Sequence, residues 1–229
     1  MTSGFTSDTD KDGRAGSRRR GRPPGSSGGE LLAIAREQFL SHGFRRTTMD
    51  AVAASAKISK QTLYAQYPSK GSLYTAVVRD WVGQGRDAMA PHVRALLDAD
   101  DLKAALLRLA GALQTGILSE PVLKMRAMVA AEAGTHPETA TDYMHRSWDS
   151  NINLLAGALA ELSRSGALDI DDPAMAAEQF VWLAVGAPLN RLELTAAKDG
   201  YGPERLTQVA GQGVQTFLSR YARPEAVTA

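Results

Sequence analysis

Between Thr47 and Lys70 the segment TTMDAVAASAKISKQTLYAQYPSK concentrates side chains that could hold phosphate and read base edges. Lys60, Gln61, Thr62, Tyr64, Tyr67 and Lys70 follow one another closely, with Thr47 and Thr48 ahead of them. Gln can pair bidentately with adenine, and Thr can offer its hydroxyl or methyl to a base. Tyrosine hydroxyls suit phosphate oxygens. The chemistry is recognition of a polyanion, not bond making. Lys70, just after Ser69, stands in the first turn of a helix, where a cation costs about 0.3–1 kcal/mol against the dipole. That position makes sense if free amides and the ammonium converge on one anion; the competing reading is a solvated lysine on an exposed helix start.

Three short helices must position these groups. Leu31, Leu32, Ala35, Phe39 and Leu40 form an apolar stripe from about Gly29 to His42, and Gly43 is a natural stop. A second helix begins with a capping box, Thr47 as cap and Asp50 reaching back, and ends near Ser55 to Lys57. Ser59 caps a third, stapled by Ile58 against Leu63, which leaves Lys60, Gln61, Thr62, Tyr64 and Tyr67 outside the core. Lys60 and Gln61 stand at its N-terminal end, where a recognition helix meets base edges. Ser69 caps a fourth helix.

The spaced features Gly43-Phe44, Thr47-Thr48, a short helix ending in Ala56, Thr62-Leu63-Tyr64, Tyr67 and Lys70 resemble the helix-turn-helix domain of TetR-family regulators, over about residues 29–75. Tyr67 departs mildly, since phenylalanine or histidine is usual there. The resemblance implies that Thr47, Thr48 and Lys70 hold phosphate while Lys60, Gln61 and Tyr64 lie in the major groove. More loosely, Arg126 to Pro137, with Ala131-Glu132-Ala133, resembles the regulatory domain of the AefR-like branch.

Charge is divided along the chain. Residues 1–82 hold 13 Lys/Arg and 7 Asp/Glu, net +6, whereas the remainder holds 13 and 18, net −5. A basic front and an acidic rear fit a chain whose front alone meets phosphate. Residues 1–28, poor in apolar side chains, read as a disordered arm. Within it Arg-Gly-Arg-Pro (Arg20 to Pro23) resembles an AT-hook that lays Arg20 and Arg22 in a minor groove; a generic basic tail on phosphates is the alternative.

Residues 76–223 read as a wholly helical rear domain, with a tail at 224–229, so the chain is expected to be all-α. Pro91 should break the fourth helix, with Ala90–Ala99 as a separate piece. Thr135 and Glu138 look like a capping box. The helix from Asp172-Pro173 is apolar nearly all round, and Pro188 should kink or end it. It and the last helix carry small residues (Ala184, Gly186, Ala187, Gly213) suited to packing on a symmetry mate. The resemblance implies a homodimer through these two helices, matching a palindromic operator of double-stranded DNA. Met125, Met128, Tyr143, Trp148, Asn151 and Phe180 are candidates to line an apolar effector cavity between the middle helices.

Other classes find little support. There is no cysteine, and His42, His92, His136 and His145 show no zinc-site spacing. Phosphate-cradling glycine loops, nucleophile elbows and dinucleotide fingerprints are absent, so no enzyme, metal or cofactor is expected. No apolar run reaches the roughly 18 residues of a membrane span, and the polar, basic start argues against a secretory signal, so a cytoplasmic protein is expected. Three readings stand in order: a repressor released by a small apolar effector; a DNA-binding dimer that is constitutive, partner-controlled or activating; an all-helical enzyme or chaperone.

Overall fold

A computed structural model describes residues 28–223; the basic arm with Arg20 and Arg22, and the final six residues, lie outside the described residues. Ten α-helices follow in order, and among the described residues there is no strand, only an isolated bridge between Leu168 and Ala222.

The front is built from α1 (Gly28–Arg46), α2 (Met49–Ser55) and α3 (Lys60–Gln66) against the start of α4 (Lys70–Arg94). Gly43 interrupts α1 with φ 74° and ψ 164°, so the stop expected there is present, but a further turn carries the chain to Arg46. Thr48, not Thr47, caps α2, its hydroxyl accepting from Ala51 N–H at 3.1 Å. Thr47 is 3 % exposed, its Oγ1 2.9 Å from the Gly43 carbonyl and 3.1 Å from that of Gln38. The hydroxyl is needed where α1 breaks, and the cap passes to the next residue. Asp50 does not reach back either; it pairs with Lys60.

Ser59 caps α3 through Thr62 N–H at 3.0 Å, and Ser69 caps α4 in a reciprocal box with Ser72. The front core runs through Leu31, Phe39, Val52, Leu63, Tyr74 and Val78 and continues into α6 (Glu120–Glu132) at Met125, Met128 and Val129. The middle of the chain therefore closes the front domain from behind.

The rear core gathers α5 (Leu102–Ile117), α8 (Ser150–Arg164), α9 (Pro173–Leu194) and α10 (Pro203–Tyr221) around Leu106, Leu109, Leu159, Phe180 and Phe217. Between α6 and α8 lies α7 (Pro137–Tyr143), joined to α8 by a π-helical turn at Met144–Asp149 that the sequence did not signal. His136 takes the cap position of α7, and no side chain caps it. Both Thr135 and His136 N–H bond back to the Glu132 carbonyl (3.0 and 2.7 Å), so the join is too tight for the expected Thr135 box.

Two prolines lie inside helices: Pro91 does not break its helix as expected, and Pro188 does not end its own. α4 runs through Pro91 to Arg94, the proline falling in its last turn beyond an exposed Asp87. α9 continues through Pro188 to Leu194. Proline there leaves the Ala184 carbonyl without its helical donor. Gln114 of α5 supplies one, its Nε2 3.0 Å from that oxygen and 2.9 Å from the Leu206 carbonyl of α10.

Small residues serve this chain's own packing as well. A Cβ on Gly213 would meet the Leu183 carbonyl at 3.0 Å, so this glycine lets α10 approach α9 within one protomer. Ala184 is likewise buried in the rear core, so neither it nor Gly213 is free for a symmetry mate. The face of α9 left open carries Met175, Trp182 (50 % exposed) and Leu194 (80 %).

Candidate nucleic-acid interface and effector cavity

α3 is held by one fully buried side chain, Leu63, and shows its other residues outward. Lys60, Gln61, Thr62 and Tyr64 are exposed side by side, Tyr64 at 46 %. Thr62 Oγ1 lies 2.7 Å from Ser59 Oγ, and Lys60 Nζ donates to Asp50 Oδ2 at 2.6 Å. Both ends of that pair are largely exposed, so exchanging Asp50 for a phosphate costs at most about 1 kcal/mol. Tyr67 is half-buried against the front core and ends α3, its N–H donating to the Leu63 carbonyl at 2.8 Å.

Lys70 differs from the expectation most. Its ammonium reaches back to the carbonyls of Phe44 (2.9 Å), Arg45 (3.2 Å) and Thr47 (3.1 Å), and lies 4.5 Å over the Phe44 ring. A cation misplaced for its own helix thus sits well at the end of α1, where carbonyls lack donors. The ammonium is engaged by the chain's own carbonyls. Thr47, also expected to hold phosphate, has its hydroxyl buried and engaged by the Gly43 and Gln38 carbonyls.

Further along, α4 forms one wall of a cavity of about 370 Å³, completed by α5, α6, the end of α7, the π turn, the start of α8 and Val181 of α9. Of the six residues expected to line it, Tyr143, Trp148 and Asn151 do. Met125 and Met128 do not: they are buried in the front core. Phe180 does not either, packing edge-on against Phe217 at 5.2 Å within the rear core. Spacing marks a residue as inward without saying which of two cores lies inward. Lining residues missed by the sequence reading include Trp81, Gly85 and Met89 of α4, Gly116 of α5, and Val122 and Arg126 of α6. Gly85 and Gly116, glycines inside helices, were the available signal, since such positions cost stability unless space is needed.

α7, which leads into the cavity's π turn, is tied to α4. Thr75 and Thr139 hydroxyls meet at 2.8 Å, and Arg79 donates to Asp142 at 2.7 Å. Burial pushes the Asp142 carboxyl up, but hydrogen bonds from Arg146 and Arg79 and their charges outweigh it and hold it below the usual range. Burial raises the Tyr143 hydroxyl, with the Arg126 guanidinium opposing. His136 wedges between the rings of Phe44 (4.9 Å) and Tyr74 (5.5 Å), with its Cε1 3.0 Å from where a Cβ on Gly71 would stand. α1, α4 and α7 therefore meet at one point behind the reading helix.

An outward-facing short helix, capped behind a second helix and backed by a cavity-bearing helical body, defines a helix-turn-helix transcriptional regulator. Two family models match the chain: bacterial regulatory proteins of the tetR family over residues 31–77, and the C-terminal domain of AefR-like transcriptional repressors over 104–223. The chain belongs to the TetR family, with a rear domain of the AefR-like kind.

Relatives agree. An uncharacterised HTH-type transcriptional regulator of Mycobacterium tuberculosis is 29 % identical over 140 residues, 61 % of this chain. The match spans only 50 % of that relative. The HTH-type transcriptional activator FasR of Mycolicibacterium smegmatis is 27 % identical, with 77 % of this chain and 92 % of FasR covered. A crystal structure of a TetR-family regulator from Mesorhizobium loti superposes with a TM-score of 0.81 at 25 % identity, covering 84 % of this chain and 95 % of that one. The flavonoid-responsive regulator FrrA gives 0.63 at 29 % identity, covering 85 % and 96 %. No helix among the described residues is long and apolar enough to cross a membrane.

Proposed function

We propose that this chain is a homodimeric, cytoplasmic, non-enzymatic repressor that leaves a palindromic operator when a small apolar effector enters the cavity. One observation carries this reading: α4, which begins directly behind α3, also forms a wall of the cavity through Trp81, Val82 and Met89. An occupant that favours a different setting of α4 changes the spacing of two reading helices in a dimer, and DNA and effector must then oppose each other by equal free energies. Similarity to a flavonoid-responsive regulator supports an effector of this kind.

Gln61, Thr62 and Tyr64 face base edges in this reading. Lys60, Thr48 and Tyr67, the amides at the start of α4, and Arg20 and Arg22 of the arm hold phosphate or the minor groove. The dimer forms through α9 and α10, with Trp182 and Met175 of the open face at its centre. Resemblance to an activator favours a second reading, in which the same parts recruit instead of block. A gel shift against DNA flanking its own gene tests binding, and Gln61→Ala with Tyr64→Ala should abolish specific retardation while leaving the dimer folded. Unchanged affinity in that double variant would remove the α3 assignment.

A further inference from the structure

We infer that the effector is an amphipathic carboxylic acid whose apolar body fills the cavity and whose carboxylate binds Arg126; the inference rests on the cavity being the effector site. Among the described residues that line the cavity Arg126 alone carries a charge, in a wall otherwise dominated by Trp81, Met89, Leu113, Ile117 and Trp148. A guanidinium has five donors in a fixed fork. Arg126 donates through Nε to Glu193, 2.6 Å away at the end of α9, and its guanidinium opposes the burial that raises the Tyr143 hydroxyl.

Glu193 does not line the cavity. It reaches Arg126 from a groove of about 1020 Å³ on the other side, whose wall shares Arg126 and Tyr143 with the cavity. Arg126 therefore stands in the partition between an apolar chamber and an open groove. Its side chain is mostly covered, while that of Glu193 is considerably exposed. A carboxylate in such an exposed pair contributes little and returns to water easily. A ligand carboxylate arriving with an apolar body gains the bidentate fork geometry and buries its remaining surface against the aromatic wall. Neutral ligands of the same shape gain only the burial. At the partition the ligand carboxylate would take the place of Glu193 on Arg126.

Isothermal titration of the full chain at pH 7.5 with 2-naphthoate and with its neutral isostere 2-acetylnaphthalene tests this. We expect naphthoate to bind about tenfold or more tightly than the ketone, as charge-assisted bonds do over neutral ones. Arg126→Met should erase the preference, and Glu193→Gln, which removes the competing carboxylate, should tighten naphthoate binding and leave the ketone unchanged. Equal or tighter ketone binding in the unmodified protein overturns the inference while leaving the cavity as an effector site. A preference that survives Arg126→Met also overturns it. If that variant does not fold, Glu193→Gln decides: no gain for naphthoate counts against the inference. Failure of both probes to bind removes the effector-cavity reading itself.

Discussion

The Gln114 side-chain amide donates to the Ala184 carbonyl at 3.0 Å, the oxygen that Pro188 leaves without a helical partner. One side chain of α5 thereby permits a proline inside a helix that packs in the rear core. Gln114→Leu should cost about 1–3 kcal/mol, because the orphaned carbonyl stays buried. In a Pro188→Ala background a backbone N–H returns, and the same substitution should cost less. A double-mutant cycle from denaturant melts reads the coupling, and strictly additive effects would show that the two residues are independent.

The Lys70 ammonium is held by three carbonyls at the end of α1. Lys70→Met should therefore lower stability by about 1–3 kcal/mol, since three carbonyls lose their donor. The salt dependence of operator binding should keep its slope. A phosphate-binding lysine would behave oppositely, with stability unchanged and the slope reduced by about one ion. Thermal melts and gel shifts across a salt series separate the two.

Lys57 ends α2 in the left-handed region, φ 55°, in a Schellman arrangement where Ile58 N–H reaches the Ala53 carbonyl and Lys57 N–H that of Ala54 (both 3.1 Å). Its ammonium makes no ion pair among the described residues. Glycine relieves the left-handed strain and gives back part of the gain as chain entropy, so Lys57→Gly should stabilise by about 0.5–1 kcal/mol. A lower melting temperature in the variant would contradict this account of the turn.

Tyr74 is buried where α1, α4 and α7 meet, and burial, with the Glu132 carboxylate adding, raises its pKa to about 12 from the usual 10. The folded state then holds this proton more tightly than the unfolded chain. Its contribution is complete below pH 10 and is lost as pH rises from 10 to 12, by roughly 2–3 kcal/mol in all. Tyr74→Phe should lose less stability than the unmodified protein across that window. Parallel alkaline melting curves would assign the loss to other tyrosines.

Much of the reading face could be taken from the sequence because its determinants are local. The Ser59 and Ser69 caps act on amides three residues on, and α3 needs only Leu63 inside to turn Gln61, Thr62 and Tyr64 outward. Nearest-neighbour chemistry of this kind is written in consecutive residues, as is the all-helical periodicity behind it. The same locality misled at Thr47, where two adjacent threonines compete for one cap and a carbonyl of α1 decides between them.

Partners far apart in the chain were settled only by the tertiary structure. Met125 and Met128 obey the same helical spacing whether they face an effector cavity or the front core, and only the packing of α6 against α1 and α4 chooses. Gln114 reads as any polar residue until α9 brings it a carbonyl seventy positions away. Lys70 is the sharpest case. Its type and place in a first turn were legible, but the ammonium takes whichever acceptors lie nearest in space, and those cluster at and just after the end of a helix more than twenty residues earlier.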